Sequence, residues 1–242
     1  MTRVLALFGA CALLALGCGG RSDNDSVTVF AASSLTDVLE DVARAFEAEH
    51  GPVELNFAGS ATLREQILEG AQADVFIAAN ETILIELVQV GLVSAPLVSI
   101  ATNRLVLAVT AGNPANVRSL DELSNPELLV GLCAEVVPCG DLAARVLDEA
   151  GVSASVDTFE PNVRALLGKV EIGELDVALV YATDVIESAD AEVVDSLSSS
   201  SLTTAYVAAA LAPGHEADED FLSFLSGPEA QQLFAAAGFG AP

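Results

Sequence analysis

The 242-residue sequence predicts an α/β fold of two lobes, each a mixed, mostly parallel sheet flanked by helices. Three observations predict it. Short apolar runs of strand length alternate with amphipathic helical stretches, the pattern of parallel strands joined by crossover helices. Two apolar runs, Arg104–Val109 and Thr203–Ala210, lie where a chain would leave one lobe and later return to it. The length suits two lobes of ordinary size, and 52% hydrophobic against 18% charged residues supplies a core.

The elements follow in order. Arg3 precedes an apolar run from Val4 to Leu16, and Ala15-Leu16-Gly17-Cys18 reads as a lipoprotein cleavage box. The run falls short of the roughly 20 apolar residues that a membrane-spanning helix needs. Residues 1–17 are therefore expected to be a signal peptide, with Cys18 the lipidated residue and 18–26 a polar tether. Val27–Ala32 reads as a buried strand, and Leu35–Glu49 as a helix with Leu35, Val38, Leu39, Val42 and Phe46 on one face. Val53–Phe57 is a second strand, Leu63–Glu69 a helix, and Asp74–Ala79 a third strand. Leu128–Leu132 and Asp176–Val180 are strands of the second unit. The final helical stretch, about Asp218 to Ala236, returns to the first, and Ser198–Ser201 reads as a loop. The expected lobes are residues 27–103 with 206–242, and 104–205, joined by a two-strand hinge around a cleft that can close.

Charge narrows the function. Acidic residues number 35 against 9 Lys plus Arg, a net charge of −26, and the sole lysine is Lys169. A polyanion is repelled, so nucleic acid is not an expected partner. There is no Trp and aromatics make up 5%, which disfavours stacking on sugars or bases. Any small anion must be held by local dipoles. Cys133 and Cys139 are expected to pair as a disulfide, because the signal places the mature chain in an oxidising compartment.

Four turns ahead of helices carry candidate ligand groups: Ser33-Ser34-Leu35-Thr36, Gly59-Ser60-Ala61-Thr62, Pro138-Cys139-Gly140-Asp141 and Asn162-Val163-Arg164. Helix starts offer unpaired NH donors and the positive end of the macrodipole, so they can hold an anion without a cationic side chain. On spacing alone, Ser34 and Ser60 read as plain N-caps, or as ligand donors. A serine nucleophile is disfavoured, since neither serine sits in a G-x-S-x-G elbow and no His lies in an activating motif. His50 and His215 read as exposed.

At these turns the sequence resembles the periplasmic molybdate-binding proteins of molybdate ABC importers. Val27–Thr36 is similar to their opening strand and first ligand loop, Phe57–Leu63 to the second, and Ala73–Ala79 to the strand that follows. Asn162-Val163-Arg164 and Val180-Tyr181-Ala182-Thr183-Asp184 resemble the second-lobe motifs. The resemblance implies a type II periplasmic-binding-protein fold with an oxyanion site of neutral donors. These are Ser34 and Ser60 by hydroxyl and NH, Cys139 and Val163 by NH, and Tyr181 by its phenol. Cys139 stands where the family carries a small residue such as Ala, which suits a role for its NH alone. Arg164 is expected in a structural ion pair. The implied ligand is molybdate or tungstate, with sulfate the alternative, and no cofactor. The implied partner is an ABC permease, the location extracytoplasmic with a lipid anchor, and the state monomeric.

Overall fold

Val, Ile, Leu and Ala dominate the strands Val27–Ala32, Val75–Ala78, Leu105–Thr110, Val130–Cys133, Val177–Tyr181 and Thr204–Ala210, because nearly every position of these six is buried, as in sheets covered by helices on each face. The computed structural model describes residues 26–94, 96–195, 197 and 201–242. The expected signal peptide, Cys18 and the tether up to residue 25 lie outside the described residues, as do residues 198–200 of the expected serine loop.

The first sheet holds β1 (Val27–Ala32), β2 (Val53–Ala58), β3 (Val75–Ala78), β4 (Val98–Asn103) and β10 (Thr204–Ala210), in the order β2-β1-β3-β10-β4. Pairings β1–β2 and β1–β3 are parallel, and β10 runs antiparallel to both of its neighbours. The second sheet holds β5 (Leu105–Thr110), β6 (Val130–Cys133), β7 (Thr158–Glu160), β8 (Val177–Tyr181) and β9 (Ala191–Asp195), in the order β7-β6-β8-β5-β9. Here β6 pairs parallel to β7 and β8, and β5 runs antiparallel to β8 and β9. The two sheets thus share one topology, although the sequence carries no discernible repeat. In each, the strand that runs against the rest is the one carrying the chain across from the other lobe. β10 enters the first sheet at Thr204, paired with Asn103, two residues ahead of the boundary read from the sequence.

The helices are α1 (Thr36–Glu47), α2 (Ser60–Leu68), α3 (Glu81–Gln89), α4 (Pro138–Ala150), α5 (Val163–Glu171), α6 (Ala182–Ile186), α7 (Glu216–Ser226) and α8 (Pro228–Ala236). In the first lobe, alternate β1 side chains face opposite layers. Val27, Val29 and Ala31 join a core containing Leu39, Phe46, Phe221 and Phe234 under α1, α7 and α8. Phe30 joins Leu63, Ile67, Leu84 and Leu87 under α2 and α3. The second lobe has one core around β5, β6 and β8. The C-terminal helical stretch is two helices, because Gly227 is extended and Pro228 starts a new helix at its first position. Among the described residues, no helix is long and apolar enough to cross a membrane.

Candidate oxyanion site

The ends of β1, β2, β6 and β8 open onto one cavity between the lobes, with an empty volume of about 240 Å³. That space includes open solvent; the room for the centres of water-sized guests is about 20 Å³, little more than one water needs, so the occupant is small. Ser34, Ser60, Cys139, Val163 and Tyr181 all line it. Five positions spread over nearly 150 residues of chain are brought together here.

The local chemistry of each turn decides which groups remain for a ligand. Ser60 is the first residue of α2; the cap is Gly59, in an extended conformation. The N-cap reading of Ser60 is therefore corrected. Its Oγ instead accepts the Ala79 NH at 3.0 Å, which leaves its own proton unspent. Ser34 does not cap α1 either, since it lies within a 3-10 turn, Ser33–Leu35, and the cap is Leu35. Its Oγ is 2.7 Å from the Tyr206 hydroxyl on β10. Both serines are buried, and tertiary contacts outcompete the local capping that their positions suggested.

At α4, Pro138 occupies the first helical position and has no NH. The NH groups of Gly140 and Asp141 bond to Val137 O, at 3.0 Å each. Cys139 is the first-turn amide left over. Its side chain is tied back to the end of β6 by the Cys133–Cys139 disulfide, Cα–Cα 5.7 Å. A Cβ at Gly140 would lie 1.9 Å from Ala134 O, so the disulfide loop packs flush on this helix start. At α5, Asn162 is the cap and its Oδ1 accepts the Ala165 NH at 2.9 Å. The Val163 amide is thus among those without an intrahelical acceptor.

Tyr181 ends β8 and is 1% exposed. Its hydroxyl is buried and makes no hydrogen bond of full geometry among the described residues, with the Thr204 side chain on β10 its near neighbour. Burial, reinforced by the nearby Tyr206 hydroxyl and Asp184, holds it well above the usual tyrosine range, so it stays a neutral donor. Buried polar groups are almost always paired, and one without a full bond, on a residue that lines a cavity, calls for a partner from outside.

The lobes meet tightly around this cavity. A Cβ at Gly59 would lie 2.8 Å from Pro161 O and 3.1 Å from the Asn162 Cβ on the opposite lobe. Arg164 does not line the cavity. It forms an ion pair with Asp37 of α1, and its Nε lies 2.7 Å from Asp184 Oδ1. Burial pushes the Asp184 carboxyl up to about 7, against the opposing pull of Arg164. His50 and His215 are exposed: His50 stacks on Phe46, and His215 opens α7 in a capping box with Asp218.

Sequence reasoning did not find Tyr206, Asn103 or Asp37. Tyr206 carried one usable signal, being one of two tyrosines in the chain and set in an apolar strand run. Asn103 and Asp37 carried none, since a polar residue at a strand end or in a helix's first turn is ordinary.

The bacterial extracellular solute-binding protein family matches residues 27–240. The chain belongs to that family. Among relatives, the molybdate-binding protein of Mycobacterium tuberculosis H37Rv is 36% identical over 166 residues, 68% of this chain. The chain spans 64% of that relative's length. The molybdate-binding protein of Escherichia coli K12 is 31% identical over 252 residues, covering 97% of each chain. Among solved structures, the periplasmic molybdate-binding protein of Azotobacter vinelandii superposes with a TM-score of 0.75 at 19% identity, over 89% of this chain and 99% of its own. That likeness bears on the fold, which is the two-lobed binding-protein fold. As a member of an extracellular family, this solute-binding protein acts outside the cytoplasm.

Proposed function

We propose that this solute-binding protein captures a tetrahedral oxyanion dianion, molybdate or tungstate, and delivers it to the permease of an ABC importer. The observation that carries the reading is the buried Tyr181 hydroxyl, which makes no full hydrogen bond among the described residues, on a residue that lines the same cavity as Ser34, Ser60, Cys139 and Val163. The donors are neutral and come from two lobes. In a protein of net charge −26, a doubly negative guest must be compensated at short range by hydrogen bonds and helix macrodipoles. Both full-length and partial relatives bear molybdate-binding names, which supports the choice of ion.

Binding on one lobe, hinge closure and completion of the donor shell by the other lobe form the working cycle, with no bond chemistry. Sulfate is discriminated by size, because a shell set for a larger ion leaves the smaller ion's hydrogen bonds too long. Cys18 carries the lipid anchor in this reading, and the protein works as a monomer.

Calorimetric titration with molybdate, tungstate and sulfate tests it. Tight binding of molybdate or tungstate over sulfate is expected, and Ser60→Ala weakens it by roughly 1–3 kcal/mol, the cost of one hydrogen bond to charge. Heat with sulfate and none with molybdate or tungstate overturns the assignment.

A further inference from the structure

Behind Ser34 lies a chain of buried hydrogen bonds whose direction can be worked out. Asn103 ends β4, and its Oδ1 accepts the Arg104 NH at 2.9 Å. A backbone NH can only donate, so the amide oxygen is identified and the other end of the side chain is the NH2. That NH2 has two protons, one given to Thr183 Oγ1 at 2.9 Å and the other to the Tyr206 hydroxyl oxygen at 3.4 Å. Tyr206 is 0% exposed. Its own proton needs an acceptor, and the one the structure provides is Ser34 Oγ at 2.7 Å. If Ser34 donated instead, the phenol would receive two protons and its own would be buried without a partner, at a cost of about 1–3 kcal/mol. Burial keeps the phenol protonated, above the usual tyrosine range.

We infer that Tyr206, held by Asn103, is a positioning residue that turns the Ser34 hydroxyl proton toward the ligand and so selects oxyanions that carry no proton. This rests on the proposed oxyanion site. Ser34 can offer the cavity either its proton or a lone pair. Tyr206 takes up the lone pair on its side, no other side-chain bond of Ser34 is seen among the described residues, and Ser34 lines the cavity, so its proton is left for the ligand. Ser60 is set the same way, because its oxygen accepts the Ala79 NH. Tyr181 and the helix-start amides add further donors. A fully deprotonated dianion satisfies every one of them. Hydrogen phosphate, a dianion of similar shape, brings a proton that needs an acceptor and finds donors facing it. The discrimination is thus one of hydrogen-bond polarity, separate from size.

The test is calorimetry on the full mature chain with molybdate and with inorganic phosphate, at a pH where phosphate is the singly protonated dianion. Tyr206→Phe frees the Ser34 rotor. Molybdate affinity is expected to fall about three- to tenfold, and the phosphate-to-molybdate affinity ratio to rise by about tenfold. Loss of packing alone would weaken both ligands together. The double variant Ser34→Ala, Tyr206→Phe is expected to match Ser34→Ala, since Tyr206 acts through that hydroxyl. If Tyr206→Phe does not fold, Asn103→Ala carries the test and should raise the same ratio by a smaller factor. An unmoved ratio in the variant that folds, or additive effects in the double variant, overturns the inference while leaving the oxyanion site intact. If the unmodified protein binds neither molybdate nor tungstate, the functional reading fails and this inference with it.

Discussion

Arg164, on α5 of the second lobe, is paired with Asp37, on α1 of the first, so one ion pair clasps the lobes beside the cavity without entering it. Its two side chains are 32% and 48% exposed, which limits the clasp to about 0–1 kcal/mol. Asp37→Asn should therefore weaken ligand binding by no more than about fivefold, and the loss should shrink at high salt, where exposed pairs are screened. Calorimetry at two ionic strengths measures this. An effect that ignores salt would remove the clasp from the account.

Gly59 is required by proximity across the lobes and not by backbone conformation, since its φ is −60°. Gly59→Ala would push against Pro161 O and the Asn162 side chain and hold the lobes apart. Ligand affinity should fall by at least about tenfold while the ligand-free melting temperature stays within a few degrees, because the clash exists only when the lobes meet. Small-angle scattering with and without ligand would then show no compaction; compaction equal to that of the unmodified protein contradicts the prediction.

Removing the phenolic hydroxyl separates binding from stability at Tyr181. Tyr181→Phe should lose roughly 1–3 kcal/mol of ligand affinity. The ligand-free protein should be as stable as before or more so, since a buried hydroxyl without a full hydrogen bond stabilises little. A lower melting temperature without ligand would indicate a structural partner.

Asp184 links stability to pH. Its carboxyl is raised to about 7 by burial, so between about 4 and about 7 the folded chain holds a proton that the unfolded chain has released. Stability contributed by this group is present at the acid end and declines as pH rises through about 7. Asp184→Asn, neutral throughout, should flatten that decline. Urea midpoints across the window compare the slopes, and identical slopes would mean that Asp184 is ionised throughout.

The Cys133–Cys139 disulfide spans a separation of 6 residues. A loop this short contributes about 2 kcal/mol in the chain-entropy treatment. It also anchors the helix start that presents the Cys139 amide. Replacing both cysteines by Ala should lower stability by about that amount and weaken ligand binding as well. Unchanged affinity, with only stability lost, would confine the disulfide to a structural role.

Much of this protein was legible along the chain. Val27–Ala32 was read at its observed bounds because a strand buried on both faces leaves an unbroken apolar run. Helix α1 was read to within two residues at each end from the period of Leu39, Val42 and Phe46. Strands β4, β7 and β9 escaped notice: β7 is three residues long, and the edge strand β9 has one buried residue, Ala191, so neither carries an apolar run. The five candidate ligand residues were found by their place at helix starts and by likeness to a family.

What the sequence determined by itself is set by short-range rules and composition: which stretches are strands or helices, roughly where helices begin, and a strongly acidic, lysine-poor charge balance. The tertiary structure alone decided what each hydroxyl does. Ser34 meets Tyr206 across 172 residues of chain, and Ser60 meets the Ala79 amide just past the end of β3. A serine at a helix start can cap, donate or accept equally well in local terms. Only the burial of groups brought from distant positions, each needing one partner, selects among those roles.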